Sequence, residues 1–318
     1  MRETVLALDF GGTKLAVGLA DAATGRWVTI ERTATPSNAA ASLAAISTIA
    51  QRQVREADAR VLAIGVSFGG HVDSKAGTVR RSMQVAGWEG VPLARILSDQ
   101  FDAPTDVVND GTAGALGEWR FGAGRACSDV VYITVSTGVG GGLVLDGRPY
   151  DGSTGLAAEF GHLPIAGSTA PCTCGSLGCA EAVAAGPAIA AEAVRRIDAG
   201  ETSSLSGLGL ELTARDVSDH ARKGDRLARE VLAGAGTAIG QIASNLVTCF
   251  DPQAVIVGGG VARAAEPFWS SLRTAFDGPL REERWVKVSP ADHIDEAPLY
   301  GALSLGLSSA TRNAAVSQ

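Results

Sequence analysis

The 318-residue sequence has no long apolar run, no cluster of basic residues and no Pro/Ser-rich linker or low-complexity segment. Its first apolar run, Val5 to Leu8, stops at Asp9 and is too short for a signal peptide. No stretch approaches the roughly 20 apolar residues of a membrane span, so we expect a soluble, cytoplasmic protein with no membrane partner. A net charge of −7 without a basic segment argues against nucleic acid as a partner.

Two common nucleotide-binding motifs are also missing. The chain contains neither the P-loop pattern GxxxxGK[ST] nor the dinucleotide pattern GxGxxG. It does contain 40 glycines, well above what the average usage of about 7% would supply. This content indicates sharp turns, or backbone that approaches another group closely, at many places in the fold.

Two strand–glycine turn–strand units occur in the chain. In the first, an apolar strand leads into DFGGTK at 9–14, and in the second a strand leads into STGVGGG at 136–142. Such turns let successive backbone N–H groups point at a phosphate. Each turn alone could simply close a tight hairpin, but the repetition favours phosphate binding.

The predicted nucleotide-binding residues follow from these turns. Asp9 is a carboxylate able to hold Mg²⁺, and Thr13 and Lys14 are donors to phosphate oxygens. A third apolar strand, Ala254 to Val257, ends in another glycine run ahead of a helix. The full candidate set is Asp9, Gly11, Gly12, Thr13, Lys14, Thr137, Gly138, Gly258, Gly259 and Gly260.

The order of apolar segments predicts an α/β protein of two lobes with a central cleft. Helical periodicity covers Ala39 to Arg55 and Arg226 to Phe250, and a final small-residue helix spans Leu299 to Ser309, before a tail that looks frayed. Because each sheet opens with a hairpin, a simple doubly wound sheet is not expected. We assign residues 1–118 and 298–318 to a small lobe and 119–297 to a large lobe.

Asp110 is the candidate catalytic group. A short strand from Thr105 to Val108 delivers Asn109 and Asp110 to the start of a helix rich in alanine and glycine. A carboxylate at the carboxyl end of a strand, facing a cleft, is where α/β proteins place chemistry. A helix N-cap is the alternative, and the phosphate turns favour a general base near an acceptor hydroxyl.

One histidine and three cysteines form a candidate structural Zn²⁺ site, because they match the ligand set of closed tetrahedral sites. These residues are His162, Cys172, Cys174 and Cys179. Glu159 and Glu181 flank the ligands, so zinc would fix both carboxylates in space. From spacing alone, the favoured interpretation is that the two glutamates are solvated charges on a surface loop.

Taken in order, the motifs resemble those of the ROK family, named for its repressors, open reading frames and kinases. LALDFGGTK resembles its first phosphate motif, VVNDGTAGALGE its catalytic segment, and ITVSTGVGGGLV its second phosphate motif. AEFGH with CTCGSLGCAE resembles its zinc signature, and AVIVGGGVA its adenosine motif. The resemblance spans essentially the whole chain.

The resemblance implies an actin-like, ribonuclease-H-like ATPase fold that binds ATP, Mg²⁺ and a sugar, with a structural zinc, as a homodimer or homotetramer. It implies glucokinase-like phosphorylation of a hexose at its primary hydroxyl, with Asp110 as the base. The substrate-binding residues it implies are Gly70, Asn109, Asp110, Glu159, His162 and Glu181, and His162 would touch both zinc and sugar.

The chain departs from the family at one place. Glucose kinases of the family typically carry a Pro-Asn pair shortly before a tryptophan, whereas Met83 to Gly87 precede Trp88 here. Either Gln84 compensates for the asparagine, or the acceptor differs there. An amino sugar such as glucosamine or kanosamine, N-acetylmannosamine or a C7 cyclitol therefore stays open as the alternative.

Two non-enzymatic alternatives are less favoured. Repressors of the family carry a winged helix-turn-helix ahead of the first glycine motif, and Asp9 lies too near the N-terminus for one. The acidic net charge agrees with this interpretation. A non-catalytic sugar-responsive regulator would be expected to lack Asp110 or a phosphate turn, and both turns and Asp110 are present.

Overall fold

The computed structural model describes residues 1–276 and 286–316. The described strands are β1 Arg2–Phe10, β2 Lys14–Asp21, β3 Trp27–Ala34, β4 Ala59–Phe68, β5 His71–Asp73, β6 Thr78–Arg81, β7 Thr105–Asn109, β8 Val130–Val135, β9 Val139–Leu145, β10 Arg148–Pro149, β11 Ala254–Gly258 and β12 Lys287–Pro290. The described α-helices are α1 Ala39–Glu56, α2 Leu93–Phe101, α3 Asp110–Phe121, α4 Glu181–Ala184, α5 Gly186–Asp198, α6 Ala214–Arg222, α7 Arg226–Phe250, α8 Glu266–Phe276 and α9 Ala297–Val316.

Two five-stranded sheets share one topology. Their strand orders are β3-β2-β1-β4-β7 and β10-β9-β8-β11-β12. In each, the first strand in the chain pairs antiparallel with its hairpin partner and parallel with a later strand. The predicted two-lobed α/β fold, with a hairpin opening each sheet, is confirmed. The small antiparallel pair β5–β6 lies outside both sheets.

The centre of each sheet is an apolar strand buried on both faces. Residues 5–8 of β1 and 130–131 of β8 have no exposed surface. Central strands covered on both sides read as continuous apolar runs, which is why the sequence shows them clearly. Each of these buried strands ends directly before a glycine turn, as the sequence predicted.

Helices α3 and α9 connect the two lobes. Ala115 and Leu116 of α3 pack in one apolar cluster with Tyr132 of the second sheet and Ala297 of α9. Further along, α9 packs in another cluster with residues of the first sheet, including Val5. The predicted lobe boundary after residue 118 falls inside α3, and residues 277–285 and 317–318 of the predicted lobes lie outside the described residues.

The final helix is longer than the sequence predicted, because α9 runs from Ala297 to Val316. No glycine or proline follows Ser309 to stop it. The helix instead continues past Ser309, and Thr311 Oγ1 donates a hydrogen bond to the Leu307 carbonyl at 2.9 Å. The frayed tail expected from Thr311 onward is therefore helical as far as the structure describes it.

Helix α7 is long and apolar enough to meet the length and composition of a membrane span, which the sequence analysis did not anticipate. Its most apolar 18-residue window is 61% buried inside the protein. Its buried residues, among them Leu232, Ile239 and Ile242, belong to the core of the large lobe. The hydropathy of α7 is thus that of a core helix packed against α8.

Candidate active site

The first glycine turn lies between β1 and β2, with Asp9 near the end of β1. The Gly11 N–H donates to the Lys14 carbonyl at 3.1 Å and closes the hairpin. Asp9 is 7% exposed, and its Oδ1 accepts a hydrogen bond from Ser67 Oγ at 2.8 Å. Ser67 lies on the neighbouring parallel strand β4, so the register of β1 and β4 fixes the Asp9 carboxylate.

The side chains around this turn have partners that the sequence did not predict. Lys14 Nζ donates to the carbonyl oxygen of Asp295 at 3.1 Å. A β-carbon at Gly12 would lie 1.4 Å from Gln84 Oε1, so the Gln84 side chain packs directly on the turn. The residue that departs from the glucose-kinase pattern therefore contacts the first glycine turn itself.

Asn109 and Asp110 link the end of β7 to the start of α3. Asn109 is the N-cap of α3, and its Oδ1 accepts the Gly111 N–H at 2.8 Å. Its Nδ2 donates to the Gly70 carbonyl at 3.0 Å. Asp110 is the first residue of the helix rather than the cap, so the cap that the sequence offered as its alternative role is filled by Asn109.

The Asp110 carboxyl group has an altered acidity. Burial, with the nearby Glu159 carboxylate adding to it, raises the pKa of Asp110 to about 6. Burial, with Asp110 adding to it, also raises the pKa of Asp9 to about 6. Because each carboxylate influences the next, Asp9, Asp110 and Glu159 form a single acidic site.

Glu159 lies beside this acidic site, and Glu181 lies beside the second glycine turn. Glu159 Oε1 lies 3.6 Å from His71 Nε2, which belongs to the β5–β6 hairpin. Glu181 begins α4, and its Oε2 accepts the N–H of Val139 at 3.0 Å, beside Gly138 of the second turn. Glu181 therefore has a fixed backbone partner, whereas the Glu159 side chain is 43% exposed beside His71.

The second turn opens onto a cavity of about 1090 Å³. Thr137 from this turn and Gly260 from the third glycine run line it, together with Arg215, Arg222, Arg263 and Asp295. Gly259 has a φ of +81°, and a β-carbon there would lie 2.4 Å from the Val135 carbonyl, so the chain needs glycine at this position. Lys14 reaches the rim of this cavity through Asp295.

The four predicted zinc ligands are brought together. The ligand atoms of His162, Cys172, Cys174 and Cys179 all lie within 4.8 Å of one another. Tetrahedral Zn–S bonds of about 2.3 Å place two sulfurs about 3.8 Å apart, and the Cys174 and Cys179 sulfurs are separated by 3.7 Å. His162 presents Nδ1, at 3.8 Å from Cys172 Sγ.

The acidity of one thiol also suits a metal. The pKa of the Cys174 thiol is lowered to about 6, mainly by a hydrogen bond from the Ser176 backbone and further by one from the Ser176 side chain. A thiolate is the form of cysteine that binds zinc. The residues therefore fit a closed Cys₃His site.

Sequence reasoning missed several residues of this region. Arg222, Arg263 and Asp295 line the cavity, and Ser67 holds Asp9. None lies within the glycine turns, although Arg263 follows Gly260 by three residues and Ser67 precedes Gly70 by three. The others reach the site from distant parts of the chain.

Comparison with known proteins identifies the family of this chain. A family model described as the ROK family matches residues 5–308. The chain belongs to the ROK family. It is 31% identical over 315 residues to a glucokinase of Thermotoga maritima, covering 95% of this chain and 96% of that protein.

Two further relatives show the range of the ROK family around this chain. An N-acetylmannosamine kinase of Yersinia pestis is 33% identical over 302 residues, covering 93% of this chain and 96% of that protein. The crystal structure of a ROK family glucokinase from Streptomyces griseus in complex with glucose and AMPPNP has a TM-score of 0.79 at 33% identity. The alignment covers 96% of this chain and 99% of that one.

Proposed function

We propose that this chain transfers the γ-phosphoryl group of ATP to the primary hydroxyl of a hexose, with Asp110 as the general base. The coarser conclusion, an ATP-dependent sugar kinase, follows from ROK family membership together with kinase relatives aligned over nearly the whole chain.

The position of Asp110 carries the proposal. It begins α3 beside Asn109 and Gly70, and its pKa of about 6 keeps it mostly ionised at pH 7 while making it a stronger base than an ordinary aspartate. Phosphoryl transfer requires mainly positioning and charge stabilisation, so one base near the acceptor hydroxyl is sufficient. Asn109, Glu159, His162 and Glu181 would then hold the remaining sugar hydroxyls.

The nucleotide would lie in the cavity next to the second turn. Thr137 and Gly260 line that cavity, and the first turn adjoins it through the Lys14–Asp295 contact. Asp9 fits a Mg²⁺ ligand, since a cation would stabilise the ionised form of a carboxyl group whose pKa is raised mainly by burial and further by the Asp110 charge. Bound Mg²⁺ would neutralise charge on the phosphates.

Replacing Asp110 tests the base. We expect Asp110→Asn to lower kcat by roughly 10²–10⁴ while AMPPNP binding stays within about twofold of wild type, as expected for loss of a general base. Turnover close to wild type would remove Asp110 from this role. Asp106→Asn, on the strand β7 that precedes Asp110 but paired with Arg312 at the surface, is the matched control and should leave kcat unchanged.

An amino sugar, an N-acetylated sugar or a cyclitol is the second candidate acceptor. The absence of the asparagine before Trp88 and the 33% identity to an N-acetylmannosamine kinase favour it. ATP consumption measured with glucose, mannose, glucosamine, 3-amino-3-deoxyglucose, N-acetylmannosamine and C7 cyclitols distinguishes the two. A kcat/KM for both glucose and mannose well below that for an amino sugar, N-acetylmannosamine or a cyclitol would replace the hexose proposal.

We also infer a structural zinc and a homo-oligomer. The Cys₃His cluster supports the zinc, which would order the loop that carries His162 and Glu181. The homodimer or homotetramer rests on the family resemblance alone and is measured by analytical ultracentrifugation of the purified chain.

A further inference from the structure

Glu118 is a carboxylate that the proposed chemistry does not use. It lies in α3 eight residues after Asp110, about 12 Å further along the helix axis, and its surface is fully buried. Within residues 1–276 and 286–316, no ion pair with lysine or arginine joins it. A buried charge is unfavourable unless hydrogen bonds compensate it, so its partners indicate its role.

Three backbone N–H groups donate to the Glu118 carboxylate. Oε2 accepts from Ala123 at 2.9 Å and from Asp292 at 3.0 Å, and Oε1 accepts from His293 at 2.7 Å. Ala123 closes the end of α3 itself. The other two donors belong to residues 292–296, the connector between β12 and α9, which lies more than 170 positions away in sequence.

The connector carries the contacts at the rim of the nucleotide cavity. The Asp295 carbonyl accepts from Lys14 Nζ at 3.1 Å, and its carboxylate pairs with Arg263. Asp295 and Arg263 both line the cavity. The next residue, Glu296, pairs with Arg32 of β3 and so ties the connector to the small lobe.

We propose that Glu118 is a positioning residue for nucleotide binding: by holding the N–H groups of Asp292 and His293 it fixes the connector, and with it the Lys14 and Arg263 contacts at the cavity. The inference rests on the proposed function, since it takes this cavity as the ATP site. It also makes one helix carry the catalytic base at its start and the support of the nucleotide cavity near its end.

The carboxylate is required because all its partners are donors. A glutamine at this position would keep one oxygen but would turn an NH₂ group toward at least one N–H. The site offers little freedom to avoid this conflict, since a β-carbon at Gly122 would lie 2.1 Å from Glu118 Oε2. Glu118→Gln therefore releases part of the connector while changing the side-chain volume very little.

The test is calorimetric binding of Mg·AMPPNP and, separately, of the acceptor that wild type phosphorylates fastest. We expect Glu118→Gln to weaken AMPPNP binding between about 10- and 100-fold, the range for a lost hydrogen bond to a charged group, and to leave acceptor affinity within twofold. Thr4→Val is the matched control, because Thr4 is also fully buried and donates to the Arg60 carbonyl at 3.0 Å, far from the connector. It should lower the melting temperature without changing either affinity.

A double-mutant cycle with Asp295→Asn identifies the route. If Glu118 acts through the connector, the two losses of AMPPNP affinity are not additive. Three outcomes would overturn the inference. The two losses of AMPPNP affinity could be fully additive, Glu118→Gln could bind AMPPNP as tightly as wild type, or Glu118→Gln could lose affinity equally for AMPPNP and for the acceptor. If Glu118→Gln does not fold, the same criteria apply to Glu118→Asp, which withdraws the charge by one methylene.

The failure of the inference is distinct from that of the proposed function. A wild-type protein that does not bind AMPPNP contradicts the ATP site, and with it both proposals. A wild type that binds AMPPNP, beside a Glu118→Gln variant that binds it equally well, contradicts the inference alone.

Discussion

Single carboxyl groups determine how the candidate site behaves with pH. Asp110 and Asp9 both have pKa values raised to about 6, mainly by burial and further by neighbouring carboxylates. A raised pKa makes Asp110 a better base at neutral pH. It also means that ionising Asp110 costs more free energy in the folded protein than in the unfolded chain.

We therefore expect Asp110→Asn to be more stable than wild type near pH 7.5, by roughly 1–3 kcal/mol. The Asp110 pKa is higher in the folded than in the unfolded state, so its favourable contribution is present below about pH 4 and is lost as pH rises through about 6. The stability difference between the variant and wild type should accordingly disappear at pH 4. Urea unfolding at pH 4 and pH 7.5 measures this difference, with Asp106→Asn as the control. A stability difference of the same size at both pH values would contradict the argument.

Two glycines decide how closely α3 and α9 approach each other. A β-carbon at Gly301 would lie 1.8 Å from the Ala113 carbonyl, and one at Gly117 would lie 2.2 Å from the Ala297 carbonyl. Backbone cannot move aside as a flexible side chain can, so a methyl group here must separate the two helices. Since α3 begins with Asp110, their separation would also shift the proposed catalytic base.

We expect Gly301→Ala to lower the free energy of unfolding by about 2 kcal/mol or more, as overpacking does in a close-packed core. Gly234→Ala is the matched control, because Gly234 lies in α7 and a β-carbon there has nothing within 4 Å. That variant should gain up to about 1 kcal/mol from helix propensity. Denaturant unfolding of both is the measurement, and equal effects would show that the crossing tolerates a methyl group.

The loop around the Cys₃His cluster is the second element with a testable role. We expect about one zinc per chain by elemental analysis, and we expect Cys174→Ser to lower metal content and melting temperature, because metal binding contributes to folding. Cys249→Ser is the control, since Cys249 is exposed on α7 and lies outside the cluster. Protein purified without chelator that contains no zinc would contradict this expectation.

At the scale of the whole molecule, helix packing rather than ion pairs joins the lobes. Arg32 and Glu296 pair across the lobes, but their side chains are 40% and 38% exposed. Ion pairs of this exposure contribute little because water screens them. In contrast, α9 packs against strands of the first sheet and against α3, which itself packs on the second sheet.

Arg32→Ala should therefore change the free energy of unfolding by less than about 1 kcal/mol, clearly less than Gly301→Ala. The comparison is made in low salt, where surface ion pairs are strongest. A loss as large as that of the glycine variant would show that the Arg32–Glu296 pair, and not the helix crossing, holds the lobes together.

Local patterns in the sequence determined the two glycine turns, a helix start at Asn109 and Asp110, and the metal-ligand cluster. Each of these depends on residues close together in the chain, so strand periodicity, turn chemistry and ligand spacing were sufficient. The fold class followed from the order of such segments along the whole chain. The family resemblance added the predicted roles of Glu159 and Glu181, which spacing alone favoured as surface charges.

Only the tertiary structure decided the partners of Lys14, Glu181 and Glu118. Lys14 meets Asp295 across 281 positions, Glu181 meets Val139 across 42, and Glu118 meets His293 across 175. No local pattern encodes such pairs, because they depend on how elements far apart in the chain pack against one another. The residue types and their spacing thus determined which side chains could do chemistry, and the packing of distant elements decided which of them lie together.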